Sequence, residues 1–274
     1  MVLTDQNHEN EDSDMNPIQT PGAISWAELL TSDAKAATSF YKALFEWDTM
    51  TAQMSTGEYT VGSAGKKPVA GIMNLPAEGI PVYWGYYVTV LDVDAVVAQA
   101  QEAGATLMAE PFTVEEVGRM AVIQDPFGAV FSVIAYKEPD HEAHQGNWSD
   151  NFQLHGAFSW FELRVADADA AATFYSDLFG WKVVTQQMSQ GPYNIIQIGE
   201  EGIGGILTVP PEEMPPHWGG YVTVRDIDAF ASTAQAEGGN MLFPVIDLPD
   251  VGKFTMVTDP QGGVIAGMQY ATPA

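Results

Sequence analysis

The chain has 274 residues, 46% apolar and 11% aromatic, enough for one large or two ordinary domains, and no apolar run reaches bilayer-spanning length. Thirty-six acidic residues face ten basic ones, and the resulting formal charge of −26 repels phosphate backbones and anionic lipid, which argues against nucleic-acid and membrane partners. Cysteine is absent, excluding disulfides, thiolate metal sites and thiol nucleophiles, and the N-terminus lacks a basic-then-apolar leader, so a cytoplasmic location is expected.

Residues 1–20 (MVLTDQNHENEDSDMNPIQT) are polar and acidic and are predicted to form a disordered tail. AISWAELLT then reads as a strand, with Asp33 as N-cap of a helix whose Ala36, Ala37, Phe40, Tyr41 and Leu44 recur at helical spacing. Three short strand-like runs follow: WDTMTAQM, EYTVGSA and PVAGIMNL. WGYYVTVLD restarts the pattern as a strand, VDAVVAQAQEAG is an amphipathic helix closed by Gly104, and GRMAVIQDPFGAVFSVIAY is a hairpin around Asp-Pro-Phe-Gly. This first domain spans 21–136. Residues 137–155 (KEPDHEAHQGNWSDNFQLH) are predicted to be a polar linker. Its His141 and His144 have metal-like spacing but a solvated setting.

The second domain, 156–274, repeats the first at a constant offset of 134 residues. Trp26 maps to Trp160, Gly71 to Gly205, Trp84 to Trp218, Asp125 to Asp259 and Tyr136 to Tyr270. An ungapped match through loops marks duplicated domains, because loops drift first. The expected fold is α+β, four βαβββ modules whose curved sheets close around cups, with inward side chains forming a ligand pocket.

The WxEL…D…AAxxFYxxLFGW opening, the VxDxDA second helix and the GR…DPxG hairpin resemble the vicinal oxygen chelate superfamily, which contains glyoxalase I, extradiol dioxygenases and bleomycin-resistance proteins. The resemblance covers Ile24 to Tyr136 and again Phe158 to Tyr270. One departure is Glu46, where the second copy keeps the family glycine as Gly180. The resemblance implies a divalent metal on the inner faces of the strands. The positions that match its ligands hold Trp26, Gly85 and Ser132 in the first copy, and Trp160, Gly219 and Ala266 in the second. Indole has no lone pair to offer, and neither Gly nor Ala has a ligating side chain. No cofactor is therefore expected.

Glu28 and Glu162 lie two residues beyond the first of those positions, on the same strand face, and so point into the cup. Arg119 and Lys253, at matched hairpin positions, are their expected partners. Such a pair either fixes barrel closure or reads a ligand. Trp26, Trp84, Trp160 and Trp218, with Tyr59 and Tyr193, are expected to line a cavity suited to a flat, apolar or weakly cationic molecule. Ser132 lies at the cup wall, and His217 is a candidate acid–base group on one rim.

The leading expectation is a small-molecule-binding protein of the glyoxalase and bleomycin-resistance type, acting without metal. The alternative is a glyoxalase-like lyase or isomerase, or a dioxygenase-related enzyme, in which Glu28 or Glu162 is the general base. A protein-interaction scaffold is a third class. Either a monomer or a homodimer is compatible with a duplication that already supplies four modules.

Overall fold

Alternation in ISWAELLT builds strand β1 (Ile24–Thr31), and Asp33 then turns the chain into a helix. The Asp33 side chain accepts a hydrogen bond from the Ala36 backbone N–H at 2.9 Å, capping α1 (Ala34–Phe45). That helix buries Ala37, Phe40, Tyr41 and Leu44. It ends in a left-handed residue, Glu46 at φ 55°, where the equivalent α3 (Ala168–Phe179) ends in Gly180 at φ 73°. The backbone demand is the same in both copies, and only the second meets it with a residue free of Cβ strain. The computed structural model describes residues 15–139, 146–188 and 191–271.

The first module is completed by β2 (Asp48–Met54), β3 (Gly57–Ala64) and β4 (Lys67–Asn74). The second comprises β5 (Tyr83–Thr89), α2 (Val93–Glu102), β6 (Thr106–Val114), β7 (Gly118–Gln124) and β8 (Val130–Tyr136). β6 has no counterpart among the strands expected from sequence. Together they form one eight-stranded sheet in the order β2-β3-β4-β1-β5-β8-β7-β6. The joint is the antiparallel pair β1–β5, so the two modules that build a cup belong to the same copy.

The second copy has β9 (Phe158–Val165), β10 (Lys182–Met188), β11 (Gly191–Ile198), β12 (Glu201–Thr208), β13 (His217–Thr223), α4 (Ile227–Ala236), β16 (Gly252–Thr258) and β17 (Val264–Tyr270). Its sheet repeats the first, except that the edge corresponding to β6 is split into β14 (Asn240–Met241) and β15 (Ile246–Leu248). Pro244 lies in the break and has no N–H for a ladder.

The helix-covered faces of the two sheets meet in one core. Trp84 and Tyr86 of β5 pack on Phe158, and Tyr86 also on Phe161, of β9. Two reciprocal bonds fasten the copies: the Tyr41 hydroxyl donates to Asp259 at 2.8 Å, and that of Tyr175 to Asp125 at 2.8 Å. The indole N–H of Trp47 reaches the Gly156 carbonyl at 2.8 Å, and that of Trp181 the Gly22 carbonyl at 2.7 Å. The aspartates of the Asp-Pro hairpins therefore bridge the copies.

Most of the expected tail, residues 1–14, lies outside the described residues, as do His141 and His144 of the expected linker. The rest of both segments is attached. Met15 is buried, its carbonyl accepts the Trp148 N–H at 2.9 Å, and the Trp148 indole donates to the Gly202 carbonyl at 2.9 Å. A few apolar residues inside polar stretches suffice to anchor them. Among the described residues no helix is long and apolar enough to cross a membrane.

Candidate functional site

Sheet register sets the cup floor. In the first copy Trp26 pairs with Tyr87, Glu28 with Gly85 and Leu30 with Tyr83, while Gly71 flanks Glu28 on the other side and Ser132 pairs with Tyr87. Partners in register share a face, so Glu28 sits between two glycines with aromatic rings above and below. The glycines are there for space. A Cβ on Gly71 would collide with the Tyr59 hydroxyl, and one on Gly85 would lie 3.3 Å from the Tyr83 ring.

Glu28 is 8% exposed. The Tyr87 hydroxyl donates to it at 2.7 Å, and Tyr59 also hydrogen-bonds the carboxyl while accepting the Trp26 indole N–H at 2.8 Å. Burial raises the Glu28 pKa above the ordinary carboxylate value, and the bonds from Tyr87 and Tyr59 only partly oppose this. Burial, with the Glu28 charge, likewise pushes both phenols well up, so they stay protonated as donors. Among the described residues Glu28 makes no ion pair. Tyr87, Val114, Met120 and Ile134, with Trp26, Met54, Val117 and Tyr136, fill the cup around it.

The second cup repeats this plan with one charged addition. Trp160 donates to the Tyr193 hydroxyl at 2.8 Å, and Glu162 accepts from Tyr193 at 3.0 Å and Tyr221 at 2.9 Å. Arg164, at the position of Leu30, forms a buried ion pair with Glu162 and donates to the Tyr221 hydroxyl at 2.8 Å. Burial opposes the charge on Arg164, but Glu162 and Tyr221 outweigh it and raise its pKa. His217 holds its Nδ1 2.8 Å from the Pro215 carbonyl; donating that proton leaves Nε2 to accept from Arg164 at 3.4 Å. Burial lowers the His217 pKa, so the ring is neutral near pH 7.

The structure therefore gathers Trp26, Glu28, Tyr59 and Ser132 in one cup, and Trp160, Glu162, Tyr193 and His217 in the other. It separates four of the expected residues. Arg119 does not meet Glu28; it is ion-paired at 2.7 Å with Asp94 of α2, on the helix side of β7. Lys253 is exposed on β16, while its neighbour Phe254 faces the cup. Adjacent strand residues point to opposite faces, and both basic residues have the wrong parity. The same rule removes Trp84 and Trp218, next to Gly85 and Gly219. Their indoles donate to Tyr41 at 3.1 Å and Tyr175 at 3.0 Å in the core.

Three important cup residues were missed from sequence. Tyr87 and Tyr221 follow Gly85 and Gly219 by two residues, and Arg164 follows Glu162 by two, so strand alternation was the available signal.

The donor chemistry does not fit the family's metal. The three matched positions in each cup carry indole, glycine, and serine or alanine, and among the described residues no three His, Cys, Asp or Glu side chains gather. Glu28 is held by phenols and Glu162 by Arg164.

Comparison with known proteins agrees with this architecture. Residues 157–266 match the model of the Glyoxalase/Bleomycin resistance protein/Dioxygenase superfamily, and residues 26–134 that of a glyoxalase-like domain. CFP32 of Mycobacterium bovis is 32% identical over 91% of this chain and 95% of its own length. The anthracycline biosynthesis protein DnrV of Streptomyces peucetius is 28% identical over 88% of this chain and 91% of its own. A Mn(II)-bound glyoxalase from Novosphingobium aromaticivorans superimposes with a TM-score of 0.59 at 15% identity, over 91% of this chain and 82% of that one, a likeness of fold.

Proposed function

Because this chain belongs to the glyoxalase/bleomycin resistance protein/dioxygenase superfamily, we propose that its cups bind small aromatic or apolar molecules by stacking, without a metal ion. The carrying observation is the chain of indole, phenol and carboxyl that recurs in both copies, Trp26–Tyr59–Glu28 and Trp160–Tyr193–Glu162. Each chain fixes two aromatic faces beside a buried hydrogen-bonding group, the combination that orients a flat ligand in an apolar site. The cups are filled by their own side chains, so a ligand enters by displacing flexible ones, Met54 and Met120 in the first. The relationship to DnrV supports a flat polycyclic ligand class, since an anthracycline has such a skeleton.

Loading with zinc, nickel, iron and manganese in turn, then desalting and elemental analysis, tests the metal-free part. Retention below about one-tenth of an equivalent is expected, and one or two equivalents retained sinks it. Titration with acridine, followed by tryptophan quenching, tests the stacking part.

Glu28 favours a second reading, a lyase or isomerase. A buried carboxyl with a raised pKa, next to the Tyr59 and Tyr87 hydroxyls, can take a proton from a carbon beside a carbonyl and return it to the adjacent carbon. The phenols would donate to the enediolate oxygen. Under this reading Glu28→Gln abolishes turnover and leaves binding within about threefold; under the binding reading no carbonyl substrate turns over.

A further inference from the structure

The cups share one plan, so their differences carry information. Within the polar floor the first has Leu30 and Tyr83 where the second has Arg164 and His217. We propose that the first cup selects a cationic aromatic ligand, a planar molecule bearing a protonated amine or quaternary nitrogen, and that the second takes an uncharged one. This rests on the stacking reading above and assigns each cup a ligand class.

The argument is one of charge balance. In the second cup the Arg164 and Glu162 side chains are 9% and 7% exposed and neutralise each other inside the protein. Both side chains also hydrogen-bond their neighbours, Glu162 to Tyr193 and Tyr221, and Arg164 to Tyr221 and His217. A charged ligand would have to break that pair or sit unpaired beside it, and both are costly in a buried site.

In the first cup the same carboxyl is equally buried, but Leu30 has no charge to give. Among the described residues the titratable groups that face Glu28 are Tyr59 from β3, Tyr83 and Tyr87 from β5 and Tyr136 from β8, all phenols. Phenols supply hydrogen bonds and no countercharge, so burial raises the Glu28 pKa and the cup offers the charged carboxylate no counter-ion of its own. A ligand cation would supply from outside what Arg164 supplies from within.

Geometry points the same way. Arg164 Nη1 comes within 2.9 Å of a Cβ placed on Gly219, whereas the matching point on Gly85 meets the Tyr83 ring at 3.3 Å and Leu30 at 4.0 Å, aromatic and aliphatic carbon in place of a guanidinium. The first cup also presents Trp26, Tyr59, Tyr83 and Tyr87, whose ring faces attract cations.

The test is titration of the full-length protein with 9-aminoacridine, a planar cation, and acridine, uncharged under the same conditions, at about pH 8 in about 0.15 M salt to suppress attraction to the protein's overall negative charge. The variants are Glu28→Gln, Leu30→Arg and Arg164→Leu. Glu28→Gln and Leu30→Arg are each expected to weaken 9-aminoacridine binding at least about tenfold while moving acridine affinity less than about threefold. Arg164→Leu, which gives the second cup the first cup's residue at that position and leaves His217 in place, is expected to add a second 9-aminoacridine site. If acridine binds wild type and neither first-cup variant affects the cation, charge selection is overturned and the stacking reading stands. If neither dye binds wild type, the stacking reading falls and takes this inference with it. Should Leu30→Arg fail to fold, the isosteric Glu28→Gln variant decides the matter alone.

Discussion

Glu28 and Glu162 occupy the same place in duplicated sheets, each on the central strand between two glycines and under two tyrosines. Yet one is a carboxyl among phenols and the other half of a buried ion pair. A single substitution two residues along the strand, leucine against arginine, makes the difference. The lesson is that a fold can keep a buried acid in register through duplication while the residue beside it decides whether that acid is used up internally.

This contrast can be broken most sharply by making the same substitution in both cups. Glu162→Gln leaves Arg164 buried without its counter-ion and is expected to cost about 3–5 kcal/mol, read as an earlier urea transition. A loss below about 1 kcal/mol would mean that Tyr221 and His217 satisfy the guanidinium by themselves.

The shared part of the plan gives the next effect. Gly71→Ala and Gly205→Ala each drive a methyl group into a tyrosine hydroxyl, Tyr59 or Tyr193, which must then release its indole and carboxyl partners. Each should cost about 1–3 kcal/mol, and equal costs would show that the two floors are mechanically alike.

Glu28→Gln should go the other way. Its folded pKa lies above the unfolded value, so the folded state holds the proton longer as pH rises. Stability is complete below the unfolded carboxylate pKa and falls by about 1.4 kcal/mol per pH unit until the folded pKa is passed. The Gln variant lacks that slope and is expected to be more stable than wild type at neutral and higher pH. Thermal melts across pH 4 to 9 check this, and a less stable variant throughout would contradict it.

The smallest effect belongs to Arg119→Ala. Its partner Asp94 is exposed and far from the floor, so dye affinity should not change. A loss of affinity would return Arg119 to the site and blur the contrast.

Much of this was legible in the amino-acid order. The duplication, the capped helices and the strand carrying both tryptophan and glutamate follow from period and spacing. The errors share one origin. Trp84, Trp218, Arg119 and Lys253 were grouped with the cups for their chemistry, although the neighbouring Gly85, Gly219, Met120 and Phe254 occupy the cup face. Alternation applied strictly would have excluded all four, and would have added Tyr87, Tyr221 and Arg164.

The sequence by itself determined the repeat, the βαβββ modules and the buried carboxyls, because periodicity and parity are local properties of the chain. Tertiary structure alone decided that each cup closes within its own copy, that the hairpin aspartates reach across to Tyr41 and Tyr175, and that Met15 and Trp148 anchor segments of polar composition. Those outcomes depend on which surfaces meet through space, and residues from about fifty to more than two hundred positions apart leave no mark of their meeting in local sequence.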